Sequence, residues 1–161
     1  MKKTVCAVAL MGMSLPFLAQ CAKNMRVVGP ADAKKKIAIA TLSSGYKDRI
    51  TQGLADRYKG TTRVTMVPIN RLHSLEIKKY DALVIIDALL AWQLFNARTR
   101  WFIGGLRDPD ERKKIVVFYS AGKPRDDYSV YGVDCITGAS EDNDDAEVVR
   151  KISDRIDRIL K

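Results

Sequence analysis

Three uninterrupted apolar runs, "KIAIAT" (36–41), "DALVIIDA" (81–88) and "KIVVFYS" (114–120), constrain this chain more than any other feature. A strand that stays apolar without alternating must be covered on both faces, which is the situation of a central parallel strand between helical layers. The intervening segments fit that arrangement. Ile50, Leu54 and Tyr58 stand at i, i+4 and i+8 within Asp48 to Tyr58 and form one stripe of a helix. "TTRVTMVPI" (61–69) nearly alternates and reads as a more exposed strand. Residues 94–106 read as a helix ended by Gly104-Gly105 and the Pro109 turn, and "YGVDCITG" holds a short last strand. The closing helix starts near Asp144, with Val149, Ile152, Ile156 and Ile159 as its apolar stripe. Strand, helix and strand in this order imply right-handed parallel crossovers. The expected fold is an α/β three-layer sandwich with a five-stranded parallel sheet over residues 36–161, without internal repeats or a second domain.

Residues 1–20 have a different composition. Lys2 and Lys3 precede "TVCAVALMGMSLPFLA", an uncharged stretch too short to span a bilayer as a permanent helix, and the pattern is that of a cleaved signal peptide. It ends at Leu18-Ala19-Gln20-Cys21, which resembles the lipobox of bacterial lipoproteins, although Gln20 stands where Gly, Ala or Ser is usual. The resemblance implies that Cys21 receives diacylglycerol and fatty acid and anchors the chain to a bacterial membrane, on the periplasmic side of the cell envelope. The alternative is an ordinary cleavage site with Cys21 beside it. Residues 22–35, "AKNMRVVGPADAKK", read as a tether that with Cys21 separates the signal peptide from the folded domain.

Cysteine and charge narrow the function. Loss of Cys6 with the signal and acylation of Cys21 would leave Cys135 alone, so no intramolecular disulfide is expected. Without Lys2 and Lys3 the chain has 26 basic and 19 acidic residues, a net charge of +7. The two signs are interspersed, as in "RDPDERKK" and "KISDRIDRILK", with no aromatic-basic stripe, so nucleic acid is not an expected partner. Lys23, Arg26 and Lys34 to Lys36 would add attraction to anionic headgroups, about 1 kcal/mol each near the surface.

His73 is the only histidine, so no His-based metal site can be built, and nothing in "NRLHSLEIKKY" marks a nucleophile. No catalytic residue or metal site is expected. The acids from Glu141 to Asp145 lack the spacing of a calcium loop and suit the start of the last helix. Cys135, in an apolar strand, reads as a small buried hydrophobe.

Three segments carry a family likeness. "YDALVIIDALLAWQ", "RWFIGGL" and "RKKIVVFYSAG" resemble the third-strand to fourth-strand region of the flavodoxin-like superfamily, with Asp87-Ala88-Leu89 where that family has Gly-Ser-Pro. Trp92 matches its flavin-side aromatic, Phe102 its helix Phe, and Ser120-Ala121-Gly122 its small-residue turn. The family's phosphate loop, T-x-T-G-x-T, aligns with "TLSSGYKD" on Gly45 and places Leu42, Ser44 and Lys47 at the hydroxyl positions. The likeness implies FMN at the switch point beside the first and third strands, with Ser44, Gly45 and Lys47 on the phosphate and Trp92 and Tyr131 on the ring. Two lost hydroxyl donors would weaken such a site by roughly two to four orders of magnitude. Lys47 or Ser43 could replace part of this, so the loop permits a phosphate without demanding one; the alternative is a plain strand-to-helix joint with Ser44 or Asp48 as cap. "VDCITGAS" (133–140) resembles the D-x-x-[ST]-G-A-[ST] signature of covalent FMN attachment in exported bacterial proteins, which would make Ser140 the acceptor. Alternatively it is a strand-turn-helix joint bent at Gly138. Two functions remain open: an envelope binding module with a degenerate flavin site and an envelope protein partner, or an FMN-dependent electron-transfer protein.

Overall fold

Seven strands form one sheet in the computed structural model, which describes residues 25–89, 97–121, 128–139 and 144–161. They are β1 (Arg26–Val28), β2 (Lys35–Thr41), β3 (Thr62–Pro68), β4 (Ala82–Ala88), β5 (Ile115–Ala121), β6 (Tyr128–Val130) and β7 (Val133–Ala139), in the order β1-β3-β2-β4-β5-β7-β6. The inner five are parallel, and counted by themselves they run 2-1-3-4-5, the flavodoxin-like doubly wound order. The three apolar runs became β2, β4 and β5, adjacent at the centre of the sheet, where both faces are covered.

The sheet is larger than the five parallel strands expected. Antiparallel β6 joins β7 through a tight turn, and antiparallel β1 pairs with β3, Arg26 opposite Met66 and Val28 opposite Val64. β1 therefore lies inside the stretch read as a tether, and the ordered sheet begins at Arg26 rather than near Lys36. Three residues are too few to show a period of two, so the pattern could not reveal it. Gly29 makes the connection possible: its φ is +91°, and a Cβ there would meet the Thr62 carbonyl oxygen at 2.1 Å. Because β1 covers the edge, β3 is not the exposed strand its alternation implied; Val64, Thr65, Met66 and Val67 are buried. The last parallel strand, β7, runs a full seven residues.

Helices cover both faces. α1 (Gly45–Tyr58) and α4 (Asp145–Ile159) pack over Ile37, Ile39, Val84, Ile86, Phe118 and Ile136, contributing Ile50, Leu54, Val148, Ile152 and Ile156. Burial of each such aliphatic side chain contributes about 1.5–3 kcal/mol. Of the stripe expected on α4, Ile152 and Ile156 are central; Val148 joins them, and Val149 lies to the side against Gly53. The two helices are also joined by polar contacts: Tyr58 donates to Asp157 Oδ1 at 2.6 Å, Tyr46 donates to Asp144, and Arg49 pairs with Asp145 at 3.0 Å. Burial and Asp157 push the Tyr58 phenol up to about 12, and burial and Asp144 push Tyr46 up further.

The opposite layer is thinner. It consists of the 3-10 helices Ile69–Ser74 and Ile77–Lys79, α2 (Ala97–Gly105) and α3 (Pro109–Arg112), closing a second core of Ala38, Ala40, Leu72, Leu83, Ile85, Ile103, Val117 and Tyr119. No helix among the described residues is long and apolar enough to cross a membrane.

Candidate functional site

Parallel sheets of this order present their site where neighbouring connections leave in opposite directions, beside the carboxyl ends of the two central strands. Here those are β2 and β4. After β2 the chain turns through Leu42, Ser43 and Ser44 into α1. Ser44 has extended backbone, and its Oγ accepts the Lys47 N–H at 3.4 Å, so it is the N-cap of the helix. Ser43 donates its hydroxyl hydrogen to Asp48 Oδ2 at 3.0 Å. Gly45 is the first helical residue, exposed, with open space where a Cβ would stand. It makes no tight turn here, and any residue would fit.

Lys47 turns inward. Its side chain is buried, only 6% exposed, and Nζ donates to Ser120 Oγ at 3.2 Å at the end of β5. Ser120 Oγ in turn lies 3.4 Å from the Asp87 carbonyl oxygen, to which it donates. Asp87 ends the apolar run of β4 fully buried; its Oδ1 accepts from Ala88 N–H and its Oδ2 from the Thr99 hydroxyl in the first turn of α2, both at 2.9 Å. Burial lowers the Lys47 pKa, and the Asp87 carboxylate opposes that effect. Thr41 Oγ1, at the end of β2, is buried with no partner among the described residues. The result is an interior cluster of Lys47, Asp87, Thr99 and Ser120 beneath the carboxyl edge of the sheet.

This geometry bears on a phosphate at α1. The Ser44 oxygen is occupied as a cap, the Lys47 ammonium is directed into the protein, and the nearest first-turn side chain is the Asp48 carboxylate. Among the described residues 42–48 of the loop and first turn, the one side-chain cation is Lys47, and its ammonium faces inward. As placed here, Lys47 presents no ammonium to a phosphate at this helix end. Ser44, Gly45 and Lys47 are adjacent as expected, but they do not point to a common ligand.

Tyr131 is not brought to the same place. It occupies the β6–β7 turn with φ +52°, next to Val133, while β7 advances beside β5 from Asp134 opposite Val116. The turn thus lies at the amino end of the sheet, and the Tyr131 hydroxyl accepts from Arg100 at 3.3 Å. Trp92, Ser140 and Cys21 lie outside the described residues. Of the covalent-attachment pattern, Asp134 to Ala139 form β7, and Asp134 pairs with Arg155 of α4 at 2.6 Å. Gly138 is no bend. It sits within the strand because a Cβ would stand 3.0 Å from the Phe118 ring and 3.2 Å from Val148. Among the described residues, no group of three or more His, Cys, Asp or Glu is placed to hold a metal ion.

Asp87, Thr99 and Ser120 were not singled out as a cluster by sequence reasoning. The available signal was a lone carboxylate inside "LVIIDALL", which no apolar strand carries without a buried partner.

No family model and no curated protein matches the chain. Among solved structures, it is similar to an oxidised flavodoxin 2 from Bacillus cereus, with 16% identity and a TM-score of 0.45 over 76% of this chain and 98% of that one. It is also similar to a flavodoxin from the domain Archaea, with 12% identity and a TM-score of 0.45 over 78% of this chain and 99% of that one. The flavodoxin-like assignment rests on the strand order itself.

Proposed function

We propose that this chain is an exported, lipid-anchored protein whose flavodoxin-like domain serves as a binding module in the bacterial envelope and not as a flavin carrier. One observation supports the second half: among the described residues of the α1 loop, the cation that could reach a phosphate, Lys47, is turned inward to Ser120, near Asp87. Noncovalent FMN carriage with Lys47 on the phosphate, the competing reading, requires Lys47 to leave Ser120. Covalent FMN on Ser140 is the less economical form of that reading. The first half rests on the signal-like residues 1–20 and on Leu18-Ala19-Gln20-Cys21.

Both halves are tested on protein extracted from the membranes of a bacterial host. The expected result is an intact mass that begins at Cys21 with diacylglycerol and fatty acid, in a colourless preparation. A chain that is unprocessed or soluble overturns the anchor. Flavin absorbance that persists on purification overturns the cofactor-free reading, and a flavin mass adduct on a peptide with Ser140 assigns it to that residue.

A further inference from the structure

The thin layer opposite α1 and α4 has an outer surface unlike the rest of the protein. Trp101 projects from the middle of α2 and is 80% exposed. Beside it, Arg98 and Phe102 of α2, Leu106 just after that helix, and His73 and Leu75 from the chain after β3 line an open groove of about 740 Å³. The segments 69–75 and 97–107 that build this surface contain Arg71, Arg98, Arg100 and Arg107, all exposed, and the exposed acids Glu76 and Asp108 stand just beyond their ends. Tryptophan flanked by arginine has the chemistry of a bilayer interface: an amphipathic ring at headgroup depth and guanidinium groups on phosphates.

The described chain begins at the β1 edge of the sheet. Residues 1–24 lead into Met25, which is 59% exposed. Arg26 then lies opposite Met66, close to the carboxyl end of β3, where the Ile69–Ser74 helix begins. Val28 packs into the α1 and α4 core, so the alternation of side chains turns Val27, 42% exposed, toward the α2 layer. Only residues 22–25 separate Cys21 from β1, a span of at most about 18 Å when fully extended. A lipid on Cys21 therefore keeps β1, at the edge of the sheet, within that distance of the bilayer.

We infer that the α2 layer is a membrane-contact surface, on which Trp101 enters the interface of an anionic phospholipid bilayer while Arg71, Arg98 and Arg100 meet its headgroup phosphates. The inference rests on the proposed anchor at Cys21, because a single attachment point leaves the domain free to turn, and a basic, aromatic patch gives it a second contact.

The test uses the protein extracted from membranes and reconstituted into phosphatidylcholine vesicles with or without phosphatidylglycerol, with brominated acyl chains as quenchers of tryptophan emission. The expected result is strong quenching in phosphatidylglycerol vesicles that survives Trp92→Phe, disappears in Trp101→Phe, and falls by about fivefold in apparent partitioning for each arginine removed in Arg98→Gln and Arg100→Gln. Quenching that is unchanged in Trp101→Phe, or equal in vesicles without anionic lipid, overturns the inference. Mass spectrometry of the same sample reports acylation of Cys21 separately. If that residue is unmodified the anchor fails, and the contact surface stands only if the unacylated chain still sediments with phosphatidylglycerol vesicles in a Trp101-dependent way.

Discussion

Replacing Lys47 by methionine removes a buried ammonium while keeping most of its stem; it frees Ser120 of its donor and takes away a positive charge near the fully buried Asp87 carboxylate. Breaking a buried pair from one side costs about 3–5 kcal/mol, because the remaining charge is desolvated and uncompensated. Asp87 keeps two hydrogen bonds, from Ala88 N–H and from Thr99. Because the ammonium is hydrogen-bonded to Ser120 and acts on Asp87 only through space, the cost should fall below that range, at about 1–3 kcal/mol. Asp87→Asn retains the Thr99 contact and removes the charge that opposes the desolvation of Lys47. Removing both charges leaves a neutral interior, so the double variant should be more stable than the sum of the singles allows by about 1 kcal/mol. Urea unfolding of the four proteins, followed by circular dichroism with the slopes compared, measures the cycle. Costs that add to within about 0.5 kcal/mol would show that the two charges do not sense each other, and the interior cluster would lose its meaning.

The remaining expectations concern titration and packing. Tyr58 holds its proton up to about 12 in the fold against 10.0 when unfolded, so it contributes stability that is complete below pH 10 and is lost as the pH rises to 12. The urea midpoint should drop through that window, and less steeply in Tyr58→Phe. Lys47 acts with the opposite sign: its pKa is lowered in the fold, so stability should rise as the pH climbs toward its ordinary 10.5, a slope that Lys47→Met should abolish. Gly138→Ala should cost about 1–3 kcal/mol by overpacking, since Phe118 stands 3.0 Å from the new Cβ; thermal or urea unfolding checks this. Gly45→Ala, into open space at the first helical position, should leave the urea midpoint unchanged or slightly raised.

The central architecture was legible because uninterrupted apolar runs have one economical solution, burial between two layers, and β2, β4 and β5 adopted it. The edges were not. β1 is too short to show a period, and its place depends on a long-range pairing with β3 and on Gly29. The same pairing explains why the alternation of β3 misled: a strand next to an added edge is covered however its sequence alternates. At the site, Ser44 could be read locally, since a serine just before a helical stripe is a cap by chemistry alone. Lys47 could not. Its position in the first turn suited a phosphate as well as the interior, and the choice depends on Asp87 and Ser120, which are 40 and 73 residues further along the chain. Gly138 shows the same limit, because a glycine before a helix reads as a bend until the Phe118 ring beside it is seen.

The most direct test of a flavodoxin-like domain without its cofactor is a titration of the purified chain with FMN, following flavin fluorescence. No saturable change up to high micromolar FMN is expected, in the natural chain and in Ser44→Ala alike. Saturable quenching that is lost in Ser44→Ala and in Lys47→Ala would contradict it, and would mean that Lys47 leaves the interior to hold a phosphate.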